Sequence, residues 1–322
     1  MLVLGIQGSP RKNGNTNLLL SSFINEAKNL GAHTLSFNIN KKKIIPCDGG
    51  RNCEKSGKCF ISDDMNPELY SLLWEAEVIV MATPIFFYTV PAQLKSLIDR
   101  SQALWSRKYM LKLDDPGRKW RHGFMLAQGA TKGKNLFTGI NLTARYFFDA
   151  IGANYDGSLE YLNIEDSGDI VKHPSAIMDA KEKAGEIIKP LLNRKKILFV
   201  CRENACRSQI SAAFTQIHAG DKLIVMSGGN APANEINIIM KDVMAENGID
   251  MAFRKPQSID DATLYSKPDI IITMGCEVSC PVFPGAELIQ WDLPDPAGKP
   301  KEFMRNLRDK IEGKVKDLIM KL

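Results

Sequence analysis

Short apolar runs alternate along this chain with longer stretches in which apolar residues recur every three or four positions. These are the patterns of buried strands and of helices with one apolar face. In the first part, Leu2–Gln7, Thr34–Phe37, Val78–Thr83, Phe124–Gln128 and Ser158–Leu162 predict strands, and Asn15–Leu30, Pro91–Arg100, Asn135–Ile151 and Pro174–Leu192 predict helices. The polar stretch Asn193–Lys196 interrupts the pattern, which then restarts. Strands are predicted at Lys196–Val200, Leu223–Ser227, Asp269–Met274 and Glu287–Leu293, and helices at Ser208–His218, Asn234–Asn247 and Lys301–Leu322. Strands alternating with helices imply parallel sheets covered on both faces. The expected class is α/β, with two doubly wound parallel-sheet domains, residues 1–193 and 194–322.

A length of 322 residues suits two such domains. With 44% apolar and 25% charged residues, the chain has the composition of a globular protein and not of a disordered or collagen-like one. No apolar run approaches the roughly 20 residues that span a bilayer, and the opening run lacks the basic flank of a secretory signal. A cytoplasmic location with no membrane partner is expected. The net charge of +5 includes no basic block beyond Lys41–Lys43, which argues against nucleic acid as a partner. Seven cysteines, an odd number, do not suit a fully paired disulfide framework and point to catalytic, redox or metal-binding thiols. They fall into the groups Cys47, Cys53 and Cys59; Cys201 and Cys206; and Cys276 and Cys280. His33, His122, His173 and His218 show no metal-binding spacing.

After the first strand, Gly8-Ser9-Pro10-Arg11-Lys12-Asn13-Gly14-Asn15-Thr16 runs into a helix. Small residues there let backbone N–H groups face an anion at the helix's positive end, and Arg11 adds a fork suited to phosphate. The loop lacks the Gly-Lys-Ser/Thr of a nucleotide-hydrolysing loop and is not GxGxxG. An aromatic segment, Pro84-Ile85-Phe86-Phe87-Tyr88-Thr89-Val90-Pro91, leaves the central strand, and Gly129-Ala130-Thr131-Lys132-Gly133 follows the next one. Ligands of doubly wound sheets bind at this edge. The three loops, with Pro91-Ala92-Gln93-Leu94-Lys95-Ser96-Leu97-Ile98-Asp99-Arg100, resemble the flavodoxin-like NAD(P)H-dependent FMN reductase family over about residues 1–190. The resemblance implies FMN as cofactor, NAD(P)H as electron donor and a homodimer or higher oligomer. It also implies that Ser9, Arg11, Asn15 and Thr16 hold the FMN phosphate and that Pro84, Phe86, Phe87 and Tyr88 line the ring. It extends to iron–sulfur flavoproteins, but here Gly50 stands at the second ligand position of their cysteine motif. Cys47, Cys53 and Cys59 therefore fall short of the four thiolates that a cluster or a structural zinc normally takes. Redox-active or unemployed thiols are the other readings of this trio.

The second part opens with a strand that runs into Cys201-Arg202-Glu203-Asn204-Ala205-Cys206-Arg207-Ser208 and then a helix. A six-residue loop of this spacing surrounds an oxyanion with N–H groups while Arg207 clamps it from the side. The helix end and the guanidinium favour the nucleophilic thiolate of Cys201, and Ser208 can hydrogen-bond that sulfur. The loop resembles the low-molecular-weight phosphotyrosine phosphatase fold, in which the residue at the Asn204 position holds the loop shape. The later segment Trp291-Asp292-Leu293-Pro294-Asp295-Pro296-Ala297-Gly298-Lys299 lacks the tyrosine of the true phosphatases, and its ending is similar to that of the cysteine-relay arsenate reductases.

That resemblance implies Asp295 as general acid and Cys276 and Cys280 as the thiols that take up the oxidising equivalents. A phosphatase, whose intermediate is released by water, has no use for the last two. Arsenate is then the substrate, and either thioredoxin or the fused flavin domain re-reduces the relay, the latter through Cys53 and Cys59. The competing readings are a protein-tyrosine phosphatase fused to an NAD(P)H-dependent FMN or quinone reductase, an oxyanion or oxidant sensor, and a flavin domain with an unrelated electron acceptor.

Overall fold

The computed structural model describes residues 1–275 and 283–322. The chain forms two compact units, one of residues 1–112 and 120–192, the other of residues 113–119 and 193–322.

In the first unit, β1 (Leu2–Gln7), β2 (His33–Asn38), β3 (Val78–Pro84), β4 (His122–Gln128) and β5 (Asn154–Tyr161) form one sheet in the order β2-β1-β3-β4-β5. Every pair is parallel. The helices are α1 (Asn15–Asn29), α2 (Asn52–Ser56), α3 (Tyr70–Glu75), α4 (Ala92–Arg100), α5 (Gln102–Tyr109), α6 (Thr138–Ala150), α7 (Asp169–Lys172) and α8 (Ala176–Leu192). Helix α1 buries Leu19, Leu20, Phe23, Ile24 and Ala27, a single face at helical spacing, in one core cluster with Val3, Val80 and Phe124 of the sheet. The Phe23 and Phe124 rings stack at 6.2 Å. Helix α8 contributes Ala176, Ala180 and Ala184 to the same cluster, and these short side chains at every fourth position allow close helix approach. Each large apolar side chain buried here contributes about 1.5–3 kcal/mol.

The second unit repeats the plan with β6 (Lys195–Cys201), β7 (Leu223–Gly229), β8 (Ile270–Met274) and β9 (Glu287–Trp291), all parallel in the order β7-β6-β8-β9. Its helices are α9 (Arg207–Ala219), α10 (Ile238–Glu246), α11 (Ile259–Thr263) and α12 (Lys301–Ile319). Met304, Leu307, Ile311, Val315 and Leu318 form the buried face of α12 and share a core with Phe199, Ile210, Phe214 and Trp291. Segment 113–119 joins this unit by a parallel bridge, in which Asp114 N–H donates to Gly248 and Asp250 N–H to Asp114. In both sheets the strand order reverses beside the first strand of the unit, at β1/β3 and at β6/β8. A crevice opens at the carboxyl ends of such strands.

The predicted elements are present, with three differences. Strand β5 begins at Asn154, earlier than the pattern implied, because Asn154–Gly157 is polar, contains a glycine at φ 101° and pairs across a register shift at Gly123/Met125. Helix α10 starts at Ile238 because Asn237 caps it, its side chain accepting the Met240 N–H. Helices α2, α3, α5, α7 and α11 were not predicted, each being too short to show a period.

The stretch carrying Cys47, Cys53 and Cys59 is tied to α4 by one side chain. Arg100 is 1% exposed, and its Nη1 lies 2.6 Å from Asp63 Oδ2. It also donates to the carbonyls of Ile45 and Ile61, at 2.8 and 3.2 Å, and from Nε to Cys59 Sγ at 3.1 Å. Burial pushes the Asp63 carboxyl up, but hydrogen bonds from Arg100 and from the Ile45 and Met65 N–H groups outweigh it and hold it below the ordinary carboxylate range. The stability this contributes is complete above that ordinary range and is lost as pH falls through the lowered value of the folded state. Asp63→Ala, which leaves a buried guanidinium unpaired, is expected to destabilise the first unit by about 3–5 kcal/mol. Urea unfolding at neutral pH measures this, and the deficit should shrink in acid.

Candidate active sites

In the second unit, β6 ends on Cys201, which is 3% exposed, and α9 begins at Arg207. The loop between them keeps its shape by two devices. Its carbonyls at Arg202, Glu203 and Ala205 accept N–H groups from Ala231, Ala233 and Asn237, at 2.9, 3.0 and 2.9 Å. Across each planar trans peptide the following N–H lies antiparallel to the carbonyl. The loop's N–H groups at Glu203, Asn204 and Cys206 therefore point away from segment 231–237, as an anion site requires.

The second device is Asn204, fully buried at φ 50°, a left-handed conformation that asparagine tolerates better than most residues. Its Oδ1 accepts the Gln257 N–H and Gln209 Nε2, both at 3.0 Å, and its Nδ2 donates to Ser208 Oγ at 2.8 Å. Ser208 Oγ lies 3.0 Å from Cys201 Sγ. A glycine ends β7 for a reason visible here: a Cβ on Gly229 would fall 2.6 Å from the Arg202 carbonyl and 2.8 Å from Asn204 N.

Arg207 donates from Nη1 to the Leu293 carbonyl at 3.2 Å, and its Nη2 lies 3.4 Å from Asp295 Oδ1. The Asp295 side chain is 69% exposed. Guanidinium and carboxyl thus stand together beside the sulfur-bearing loop. Cys206 is a different kind of thiol. It is buried, with Sγ 3.4 Å from Met304 Sδ, and burial followed by the nearby charge of Cys201 pushes it far above the ordinary thiol range. It stays neutral and serves as packing. Trp291 is also core, its ring 5.8 Å from that of Phe199. Cys276 and Cys280 lie outside the described residues. Gly275, just before them, sits beside Arg207, since a Cβ there would be 3.3 Å from Nη1.

In the first unit, Gly8 packs its backbone against β3 and α4; a Cβ would lie 2.5 Å from the Leu94 side chain and 2.9 Å from the Ala82 carbonyl. Ser9, Asn15 and Thr16 are buried around the start of α1. Ser9 Oγ accepts the Arg11 N–H, and Arg11 Nη1 donates to the Glu165 carbonyl. The Asn15 carboxamide is committed to the segment after β5: it donates to Asp166 O at 2.7 Å and accepts from Gly168 and Ile170. Its share in anion binding therefore falls to its backbone N–H. Thr16 Oγ1 is buried with no hydrogen-bond partner, and Gly14 gives α1 no side-chain cap. A buried orphan hydroxyl on an uncapped helix start fits a bound phosphate. Gln7, on both side-chain heteroatoms, and Gln128, on Oε1, are likewise buried without partners at the ends of β1 and β4. Sequence pattern gave no sign of these two, since each looks like one more residue of a strand.

The aromatic segment is a tight hairpin. Phe86 and Thr89 exchange backbone hydrogen bonds at 2.9 and 3.0 Å, and Phe87 and Tyr88 occupy the turn at φ 48° and 62°. Two bulky residues in left-handed backbone cost of order 1–3 kcal/mol each and mark a constrained functional turn. Phe87 is fully exposed, Phe86 and Tyr88 about half so, and Pro84 ends the preceding strand. These residues fit a planar ring laid on the sheet edge. Among the described residues no three His, Cys, Asp or Glu side chains are grouped to hold a metal ion. No described helix is long and apolar enough to cross a membrane.

Comparison with known proteins divides the chain in the same way. The model for NADPH-dependent FMN reductase matches residues 1–153, and that for low molecular weight phosphotyrosine protein phosphatase matches residues 196–322. An iron-sulfur flavoprotein of Methanocaldococcus jannaschii is 41% identical over 104 residues, 32% of this chain and 53% of the relative. The chain thus spans about half the length of the flavoproteins that it matches. An arsenate reductase of Staphylococcus epidermidis is 32% identical over 124 residues, 38% of this chain and 93% of the relative. A solved thioredoxin-dependent arsenate reductase of Corynebacterium glutamicum is 28% identical, with 46% of this chain and 76% of that one covered at a TM-score of 0.35.

Gly229→Ala is expected to displace the sulfur-bearing loop while leaving the sheet intact. Calorimetric titration with inorganic phosphate should show affinity reduced roughly tenfold or more, in keeping with the loss of one hydrogen bond to a charged group.

Proposed function

We propose that this chain, which belongs through residues 196–322 to the arsenate reductases of the low molecular weight phosphotyrosine protein phosphatase family and whose residues 1–153 match the model for NADPH-dependent FMN reductase, reduces arsenate to arsenite with electrons from NAD(P)H. The observation that carries the reading is the Cys201–Ser208 loop itself, in which Ser208 Oγ lies 3.0 Å from Cys201 Sγ and Arg207 is met at 3.4 Å by Asp295 of the segment after β9.

Arsenate enters as an anion, met by the loop N–H groups and by Arg207, which is held beside the site through the Leu293 carbonyl. The Cys201 sulfur attacks arsenic, and Asp295 gives its proton to the departing oxygen, which leaves as water. A thiol–arsenate results. Cys276 then attacks the Cys201 sulfur, the sulfur–arsenic electron pair stays on arsenic, and arsenite departs. Cys280 attacks Cys276, which frees Cys201 and leaves a Cys276–Cys280 disulfide. The neutral, buried Cys206 takes no part. The phosphatase alternative is disfavoured by the acid loop: its aromatic residue, Trp291, is packed in the core and offers no wall for a phenyl phosphate.

In the first unit the Gly8–Thr16 loop, with the Thr16 hydroxyl, would hold the FMN phosphate, and Pro84, Phe86, Phe87 and Tyr88 would hold the ring. FMN bound there would supply two-electron transfer chemistry between a nicotinamide and a disulfide. Sharing one chain raises the effective concentration of donor and acceptor, which supports internal re-reduction, with thioredoxin as the alternative donor. The relatives' name points to an iron–sulfur cluster, but Gly50 replaces a thiol and Cys59 is engaged by Arg100, so the residues present do not fit one. Cys53 and Cys59 remain candidates for a dithiol step. A reducing compartment, the cytoplasm, suits the free thiols, and a homodimer or higher oligomer is the proposed assembly.

Purified protein with FMN, NADPH and arsenate, but no thioredoxin, should release arsenite and oxidise NADPH in step. Cys201→Ser should lower arsenite release by roughly a thousandfold or more while NADPH oxidation by an artificial acceptor persists. NADPH oxidation that does not rise with arsenate would contradict the internal route. Iron and acid-labile sulfide in anaerobically purified protein should be far below stoichiometric.

A further inference from the structure

We propose that Gln209 and Arg254 are positioning residues for Cys201, orienting a one-way chain of hydrogen bonds that ends on its sulfur. The inference rests on the reading of Cys201 as nucleophile, and not on arsenate being the oxyanion.

The direction of the chain follows from groups that can only donate. The Gln257 backbone N–H faces Asn204 at 3.0 Å, so the atom it meets is the carboxamide oxygen. The Asn204 nitrogen is thereby turned to Ser208 Oγ, to which it donates at 2.8 Å. Having accepted that bond, the Ser208 hydroxyl can direct its single proton along the 3.0 Å contact to Cys201 Sγ. The other end is fixed as firmly, because a guanidinium has no acceptor. Arg254 Nη1 faces Gln209 Oε1 at 3.5 Å, and Nη2 donates to Gln216 Oε1. Gln209 must then present Nε2 to the Asn204 oxygen, at 3.0 Å, and to the Lys255 carbonyl, at 3.1 Å. Burial disfavours the Arg254 charge and lowers its pKa, and the nearby Asp115 and Asp250 carboxylates partly oppose that shift.

Every amide between the two pure donors has one orientation. Asn204 and Ser208 are fully buried and Gln209 is 2% exposed, so water does not compete for these bonds. A hydrogen bond donated to sulfur stabilises negative charge on it, which is the form that attacks. The charged groups close to the loop from other directions are Arg207 and Asp295, with Cys206 neutral; none of them can set the direction of the Ser208 proton. The sequence carried little sign of this role, since Gln209 reads as a helix residue and Arg254 as a loop cation.

The test is peptide-resolved alkylation of Cys201 by iodoacetamide from pH 5 to 9, in Gln209→Met, Arg254→Met and Arg254→Lys of the full chain. Both methionine variants should slow alkylation about three- to tenfold at pH 7, in keeping with the loss of one hydrogen bond to a charged group, and should approach the native rate at pH 9. Arg254→Lys, which keeps a charged donor, should recover most of the rate. With arsenate, kcat should fall by a similar factor while KM holds within about twofold. Native rates in the methionine variants, or equal slowing at every pH, would overturn the proposal. Should Gln209→Met fail to fold, Arg254→Met, altered at a half-buried position farther from the loop, decides the matter. Alkylation that behaves as expected in a protein that cannot reduce arsenate would remove arsenate as substrate and leave the positioning role standing.

Discussion

One buried carboxamide holds the second unit's chemistry in place. Asn204 sits in left-handed backbone at the middle of the sulfur-bearing loop, and its three hydrogen bonds reach the neighbouring segment, helix α9 and the serine beside Cys201. An unmet buried amide would cost about 1–3 kcal/mol for each group, so the loop keeps its curvature only while all three bonds are made. The curvature in turn decides where the N–H groups point and how near Ser208 comes to sulfur. Gly229 serves the same end by leaving room for the loop to pass.

The two units each build a strand–helix junction whose geometry suits an anion, and they do so in different ways. In the second, the loop is tied down on its outside and Arg207 closes the side. In the first, the helix start is uncapped, the Thr16 hydroxyl is buried without a partner, and the Asn15 side chain is spent on bracing segment 166–170. The first site also stores strain, in a hairpin that holds Phe87 and Tyr88 at positive φ. Both sites lie where the strand order of their sheet reverses, as the physics of doubly wound sheets requires.

Much of this was legible in the sequence. Apolar runs gave the strands, because a buried parallel strand has few other ways to be written, and the Cys201-to-Ser208 spacing gave the loop and its guanidinium. What was hidden has physical causes. The start of β5 is a polar edge segment with a glycine, so hydrophobic pattern is silent there. The sequence cannot show that the Asn15 carboxamide is occupied by a segment about 150 positions away, which leaves its backbone N–H for an anion. Gln209 and Gln257 act through long-range partners, and Gln7 and Gln128 are marked only by buried side-chain atoms without partners, so none of the four has a local signature. Arg100, which helps anchor the Cys47–Cys59 stretch, was visible only as part of a family motif.

The central claim is that the oxyanion is reduced by sulfur, in a sequence that begins on Cys201 and ends on Cys276 and Cys280. It is tested most directly by a single-turnover experiment with reduced protein, arsenate and no external reductant, quenched by alkylation and mapped peptide by peptide. The account predicts one arsenite released per chain, Cys201 alkylated again at the end, and Cys276 joined to Cys280 by a disulfide. Arsenite released while both of those thiols remain open to alkylation would contradict it.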